Sequence, residues 1–128
     1  MTTHIATSVA ELITLTRTGP DEFRGPSPGK PDWIYGGQVA AQALAAASAT
    51  VPDGRDVHAI RAEYLRRGQG VTPVEYTVTR LRDGGAFSAR QVIAAIPPAP
   101  RAGAGWPRRA SSVLTADSSP RSPRKASA

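Results

Sequence analysis

The stretch IYGGQVAAQALAAASATVP, residues 34–52, limits the fold more than any other part of the chain. Two glycines, Gly36 and Gly37, lead into a run dominated by alanine, in which Val39, Leu44 and Val51 are the only bulky apolar residues. The spacing predicts a helix that starts near Gly37. It ends at or before Val51, because the residue preceding Pro52 is pushed out of the helical region. About 14 residues at 1.5 Å rise span roughly 21 Å. Val39, Ala43, Leu44, Ala47 and Val51 form a slim apolar stripe, and Gln38 and Gln42 share another face. A helix this thin gains little by lying on a surface. It suits one that other elements enclose closely, as dense packing demands.

The flanking sequence supplies strands to enclose it. Residues 6–15 predict a short helix with Ser8 and Glu11 at capping-box spacing. A strand-like stretch follows at Thr14–Thr18, then a turn at Gly19-Pro20-Asp21 and a short strand through Glu22, Phe23 and Arg24. The prolines of GPSPGKPD make 25–32 a loop. After the turn PDGRD at 52–56, VHAIRAEYL alternates His58, Ile60, Ala62 and Tyr64 against Arg61 and Glu63. PVEYTVTRL alternates Val74, Tyr76 and Val78 against Glu75, Thr77 and Thr79. Asp83-Gly84-Gly85 predicts a tight hairpin into a returning strand at 86–96. A long buried helix followed by antiparallel strands is an α+β architecture.

Beyond Ile96 the periodicity stops. Residues 97–128 hold six prolines and, beyond Val113-Leu114, little apolar bulk, so they predict a disordered Pro/Arg/Ala/Ser tail. That tail also explains the charge. The net charge is +6, but residues 1–96 carry ten Lys/Arg against nine Asp/Glu, while 97–128 carry six against Asp117 alone. The basicity therefore gives no folded nucleic-acid reader, only weak phosphate contacts from the tail. With no cysteine there is no disulfide framework and no thiolate metal site, and the composition fits a reducing cytoplasm. No metal-ligand cluster, cofactor fingerprint, signal peptide or membrane span is expected.

Five segments in order carry a resemblance: FRGPSP (23–28), YGGQVAAQAL (35–44), VPDGRDVH (51–58), EYLRRG (63–68) and RLRDGGAFSARQV (80–92). From about residue 10 to Ile96 the chain resembles the N-terminal hotdog unit of the acyl-coenzyme A thioesterase II family, the double-hotdog type. The resemblance implies a long helix held in the concave face of a curved antiparallel sheet. It implies hydrolysis of acyl-CoA to free fatty acid and CoA by an activated water, with acyl-CoA as substrate and no cofactor. At the start of the helix, Gly36 and Gly37 permit a sharp turn, and the free N–H groups favour a thioester carbonyl or its oxyanion. Tyr35, Gly36, Gly37 and Gln38 are the candidate substrate-binding residues there, and Arg90 is a candidate contact for coenzyme phosphates.

The departures from the family matter as much. The family's water-activating Asp, with its Thr or Ser and its Gln, belongs to a second hotdog unit, so no catalytic residue is assigned here. The chain reads as truncated, with little or no activity expected alone. Leu65-Arg66-Arg67-Gly68 stands where the family has Leu-Arg-Pro-Gly, and Arg61 replaces a family His. The resemblance also requires one more strand, inserted between the 86–96 strand and the strand holding His58. Its apparent loss predicts an incomplete sheet, and the abrupt change at 97 suggests a shifted reading frame. The alternative is a non-catalytic assembly or binding unit that pairs with a hotdog partner or forms a homo-oligomer.

Two other motifs carry less. Gly25-Pro26-Ser27-Pro28-Gly29 satisfies G-x-S-x-G, but Pro28 has no N–H for an oxyanion and the nucleophile elbow needs a strand-to-helix turn. His58 lies in an alternating strand without an evident acid or nucleophile partner, so a structural role is expected.

Overall fold

The computed structural model describes residues 8–26, 36–65, 73–95 and 110–121. Two helices, α1 (Val9–Leu12) and α2 (Gly36–Ala49), accompany six strands: β1 (Thr16–Gly19), β2 (Glu22–Gly25), β3 (Arg55–Tyr64), β4 (Val74–Asp83), β5 (Ser88–Ala95) and β6 (Ala110–Pro120). The strands form one antiparallel sheet in the order β1-β2-β4-β5-β6-β3. The long helix packs on one face of it, the α+β hotdog arrangement that the resemblance implies. No helix among the described residues is long and apolar enough to cross a membrane.

The alanine run explains the packing. Val39, Ala43, Ala46 and Ala47 of α2 are buried against Val74, Tyr76 and Val78 of β4, Val92 and Ala94 of β5, and Leu114 and Ala116 of β6. The sheet supplies the bulk and the helix supplies smooth surface, so the two pack closely along the middle of the helix. The burial alternates along all of β5 and through Val74–Val78 of β4, as period-2 strands with one covered face must, and β4 is exposed beyond Val78. α1 is shorter than its periodicity suggests, and Ser8 Oγ accepts the Glu11 N–H at 3.2 Å as its N-cap.

Strand β6 corrects the sequence reading of the tail. Residues 110–120 form a strand that pairs with β5 on one side and β3 on the other, in the slot expected to be empty. The sheet is therefore complete at that position, and the half-sheet with two unpaired central edges does not occur. Within 112–119 the alternation is present but understated. Ser112, Leu114, Ala116 and Ser118 are buried and Val113, Thr115, Asp117 and Ser119 are half-buried. Serine and alanine fill most of the inward positions, so hydrophobicity alone hides the strand. Its ladder partners on both sides satisfy a backbone that composition would assign to solvent. Residues 97–109 and 122–128 lie outside the described residues, as do Tyr35, Ser27 and the loop around it.

A bulge in β3 revises a second expectation. The register shifts between Val57 and Ala59, leaving His58 as the extra residue. Val57 pairs with the inward Ser118, whereas Ile60, Ala62 and Tyr64 pair with the inward Ala116, Leu114 and Ser112. The inward parity thus changes from odd to even across His58. His58 Nδ1 lies 3.2 Å from Ser119 Oγ, and its ring meets Phe87 edge-on at 5.9 Å. That is the structural role expected of it.

Candidate active site

The start of α2 is held by β3. Tyr64 Oη donates to the Gly36 carbonyl at 2.9 Å. A Cβ on Gly36 would sit 3.2 Å from the Tyr64 ring, so the absence of a side chain is what lets the aromatic close over this turn. The first N–H groups of the helix have no intrahelical acceptor and carry the positive end of its dipole. Gly37, beside them, is exposed. The Gln38 amide nitrogen is buried and has no partner among the described residues, a donor held ready at the same turn. Below it, Val39, Ala40 and Ala43 of α2 face Ala62, Tyr64 and Leu114 across a narrow cleft with an entirely apolar lining. An apolar slot leading to free N–H donors is the combination a thioester needs: grease for the acyl chain and donors for the carbonyl.

Gln42, one turn further along α2, is fully buried and fully used. Its Nε2 donates to the Leu12 carbonyl at 2.9 Å and the Pro26 carbonyl at 3.2 Å, and its Oε1 accepts the Tyr76 hydroxyl. Burial pushes the Tyr76 phenol far above its ordinary range, so it is always a donor here. Gly25 also belongs to this cluster, since a Cβ there would lie 2.7 Å from Gln42 Cδ. This hub fixes the height of α2 over the sheet. Sequence reasoning grouped Gln42 with Gln38 by spacing but did not find its role, nor that of Tyr64.

Arg90 is not at this end. It is 1% exposed and faces the C-terminus of α2, about 20 Å from Gly36 along the helix. Nε donates to Thr50 Oγ1 (2.8 Å), Nη1 to the Arg82 and Ala89 carbonyls (3.2 and 3.0 Å), and Nη2 to the Thr50 carbonyl and Asp83 Oδ2 (both 3.0 Å). All five guanidinium donors have acceptors. The reason is register: Ser88, Arg90, Val92 and Ala94 are the inward row of β5, so Arg90 points at the helix end and caps its carbonyls. The expected contact with coenzyme phosphates therefore has no free donor to make it. Hydrogen bonds from Ser88 and then Arg90 hold the Asp83 carboxyl below the usual carboxylate range. Of the five candidates, the structure brings Gly36, Gly37 and Gln38 together, separates Arg90 from them, and leaves Tyr35 outside the described residues.

A hotdog unit with free helix N–H donors above an apolar cleft belongs to the thioesterase class, and the comparisons agree. A sequence model of the family described as the acyl-CoA thioesterase N-terminal domain matches residues 24–115, and this chain belongs to that family. It is 37% identical over 89 residues to acyl-coenzyme A thioesterase 8 of Homo sapiens, covering 66% of this chain and 27% of that protein. Its fold matches the tesB protein of Mycobacterium avium subs paratuberculosis with a TM-score of 0.72 at 30% identity, over 92% of this chain and 44% of that one. The acyl-CoA thioesterase II TesB2 of Mycobacterium marinum matches with a TM-score of 0.69 at 27% identity, over 93% and 40%. The chain thus spans about a quarter of the curated relative and under half of each solved one. The matched region reaches residue 115, inside β6.

Proposed function

We propose that this unit recognises the acyl thioester of an acyl-CoA and serves its hydrolysis to a free fatty acid and CoA. The observation that carries the reading is the helix start: Tyr64 secures the Gly36 carbonyl, and Gly36 to Gln38 open the helix whose next residues, Val39, Ala40 and Ala43, line an apolar cleft with the same Tyr64. The acyl chain enters between the cleft walls, which part to admit it, because the space between them as they stand is about 10 Å³. The thioester oxygen approaches the helix N–H groups, which bind it more strongly as an oxyanion than as a carbonyl. Family resemblance assigns the water-activating Asp, with its Thr or Ser and Gln, to a second hotdog unit. This chain therefore supplies binding and polarisation, and turnover requires the second unit. The test is thiol release from acyl-CoA by this chain alone and after mixing with a second hotdog unit from a relative. Turnover that appears only on mixing supports the reading. Equal turnover by the chain alone sinks the division of labour.

A second reading, a pairing unit without turnover of its own, is favoured by β3. This ten-residue strand ends the sheet, and Val57, Ile60 and Tyr64 on it are 39, 53 and 55% exposed. A long exposed edge with apolar side chains is a template for another strand. Both readings share this edge: a hotdog partner or second copy that pairs there brings its own residues beside the Tyr64 end of α2.

A further inference from the structure

At the opposite end of α2, a cavity of about 30 Å³ lies between the helix C-terminus and the sheet. Ala47, Val51, Val57 and Ala116 form its apolar walls, and Ser48, Arg55, Arg90 and Ser118 its polar ones. Three observations set it apart. The Ser118 hydroxyl is buried, the residue being 4% exposed, and has no hydrogen-bond partner among the described residues. Among the described residues Arg55 meets only neutral acceptors: the Ser88 hydroxyl, the Gly84 carbonyl at 2.8 Å and the Gly85 carbonyl at 3.4 Å. Asp83, the carboxylate of the cluster, is already committed to Arg90 and to Ser88.

The charges do not cancel. Two guanidinium groups face one carboxylate and the negative end of α2, which counts for about half a charge. About half a positive charge is left over, at the half-buried Arg55. Register explains the convergence. Ser118 pairs with Ser88 on β5 and with Val57 on β3, and all three face inward ahead of the His58 bulge. A buried hydroxyl without a partner costs stability, and a half-buried excess charge attracts a counter-ion. One ligand resolves both.

We propose that this cavity binds a small monovalent anion, of chloride or formate size, held by the Ser118 hydroxyl and the positive field of Arg55 and Arg90. The volume supports the size: a single water needs roughly 10–15 Å³, so a space of about 30 Å³ suits one small ion better than a phosphate. The apolar walls favour a weakly hydrated anion over a strongly hydrated one. The site is separate from the thioester cleft and does not depend on that reading. Its occupancy links the helix C-terminus to β3, β5 and β6, so the anion acts on stability.

The test is thermal unfolding of the full chain at constant ionic strength, exchanging sodium gluconate, whose anion is too large to enter, for sodium chloride or sodium formate. The expected result is a midpoint that rises and saturates with chloride or formate in the wild type, and a rise at least halved in Ser118→Ala. Chloride-35 NMR of the wild type supplies a second measurement: line broadening that formate displaces. Absence of any chloride- or formate-dependent rise, an equal rise in Ser118→Ala, or broadening that formate does not displace would overturn the proposal.

Discussion

The Tyr76 hydroxyl on β4 donates to the Gln42 side-chain oxygen on α2, and both residues are fully buried. The same Gln42 amide reaches back to the carbonyls of Leu12 and Pro26, so one polar side chain ties the helix to the sheet and to the segments before it. A buried network of this kind is stable only when every member is satisfied. Gln42→Leu leaves a hydroxyl and two carbonyls without their partner and is expected to cost on the order of 3 kcal/mol, read by denaturant unfolding. Tyr76→Phe removes one donor and is expected to cost about 1–2 kcal/mol. A Gln42→Leu variant as stable as the wild type would show that the hub is decorative.

Gly25 is fixed by the same cluster. Gly25→Ala drives a methyl toward Gln42 Cδ, 2.7 Å from the ideal Cβ position, with Tyr76 Cε2 at 3.0 Å. Overpacking of this kind costs about 1–3 kcal/mol. The double variant Gly25→Ala with Gln42→Ala should recover part of that loss, which a double-mutant cycle measures directly.

Arg90 and Asp83 set part of the acid sensitivity. Hydrogen bonds from Ser88 and Arg90 lower the folded-state pKa of Asp83 below its unfolded value. The stability this supplies is fully present above the unfolded value, about pH 4, and is lost as the pH falls through the folded value. Asp83→Asn should therefore flatten this part of the acid limb of an unfolding-versus-pH curve and lower stability at pH 7. Arg90→Ala strands the buried Thr50 hydroxyl and carbonyl at the end of α2 and removes a hydrogen bond from the exposed Asp83 carboxylate, and it should lower the denaturant-unfolding midpoint. If acyl-CoA affinity fell in Arg90→Ala with no loss of stability, Arg90 would be a coenzyme contact after all.

Strand β6 completes the sheet. Leu114 is 2% exposed, and Leu114→Ala is expected to cost about 2–5 kcal/mol. Ala116→Pro removes a ladder donor from a strand paired on both sides and should abolish cooperative unfolding followed by circular dichroism. Native-like unfolding of a chain lacking residues 110–121 would contradict the placement of β6.

Much of this fold was legible in residue order. The alanine run predicts α2 to within a residue or two, because small side chains at helical period have few other uses, and Pro52 marks its end. β4 shows its alternation openly in Val74, Tyr76 and Val78. β6 does not, because two of its inward positions, Ser112 and Ser118, are serines and one, Ala116, is an alanine. Its evidence lies in the neighbours that need a partner, which is three-dimensional information. The bulge at His58 was illegible for a related reason: parity changes only when the strand is laid against β6. Gly36, Gly37 and Gln38 were readable as the start of α2, which is where the structure has them. Arg90 was drawn toward a phosphate role by its charge, whereas its side of β5 decides its place.

The central claim is that the start of α2 receives the thioester. Its most direct test is amide NMR of the chain titrated with a non-hydrolysable acyl-CoA thioether ketone analogue, which keeps the carbonyl and cannot be cleaved. The account predicts saturable shifts of the Gly36, Gly37 and Gln38 backbone amides and of Ala62 and Leu114 along the cleft, with loss of binding in Gly37→Val. Shifts confined to the Thr50 and Arg90 end, or saturable binding that leaves residues 36–38 unmoved, would contradict it.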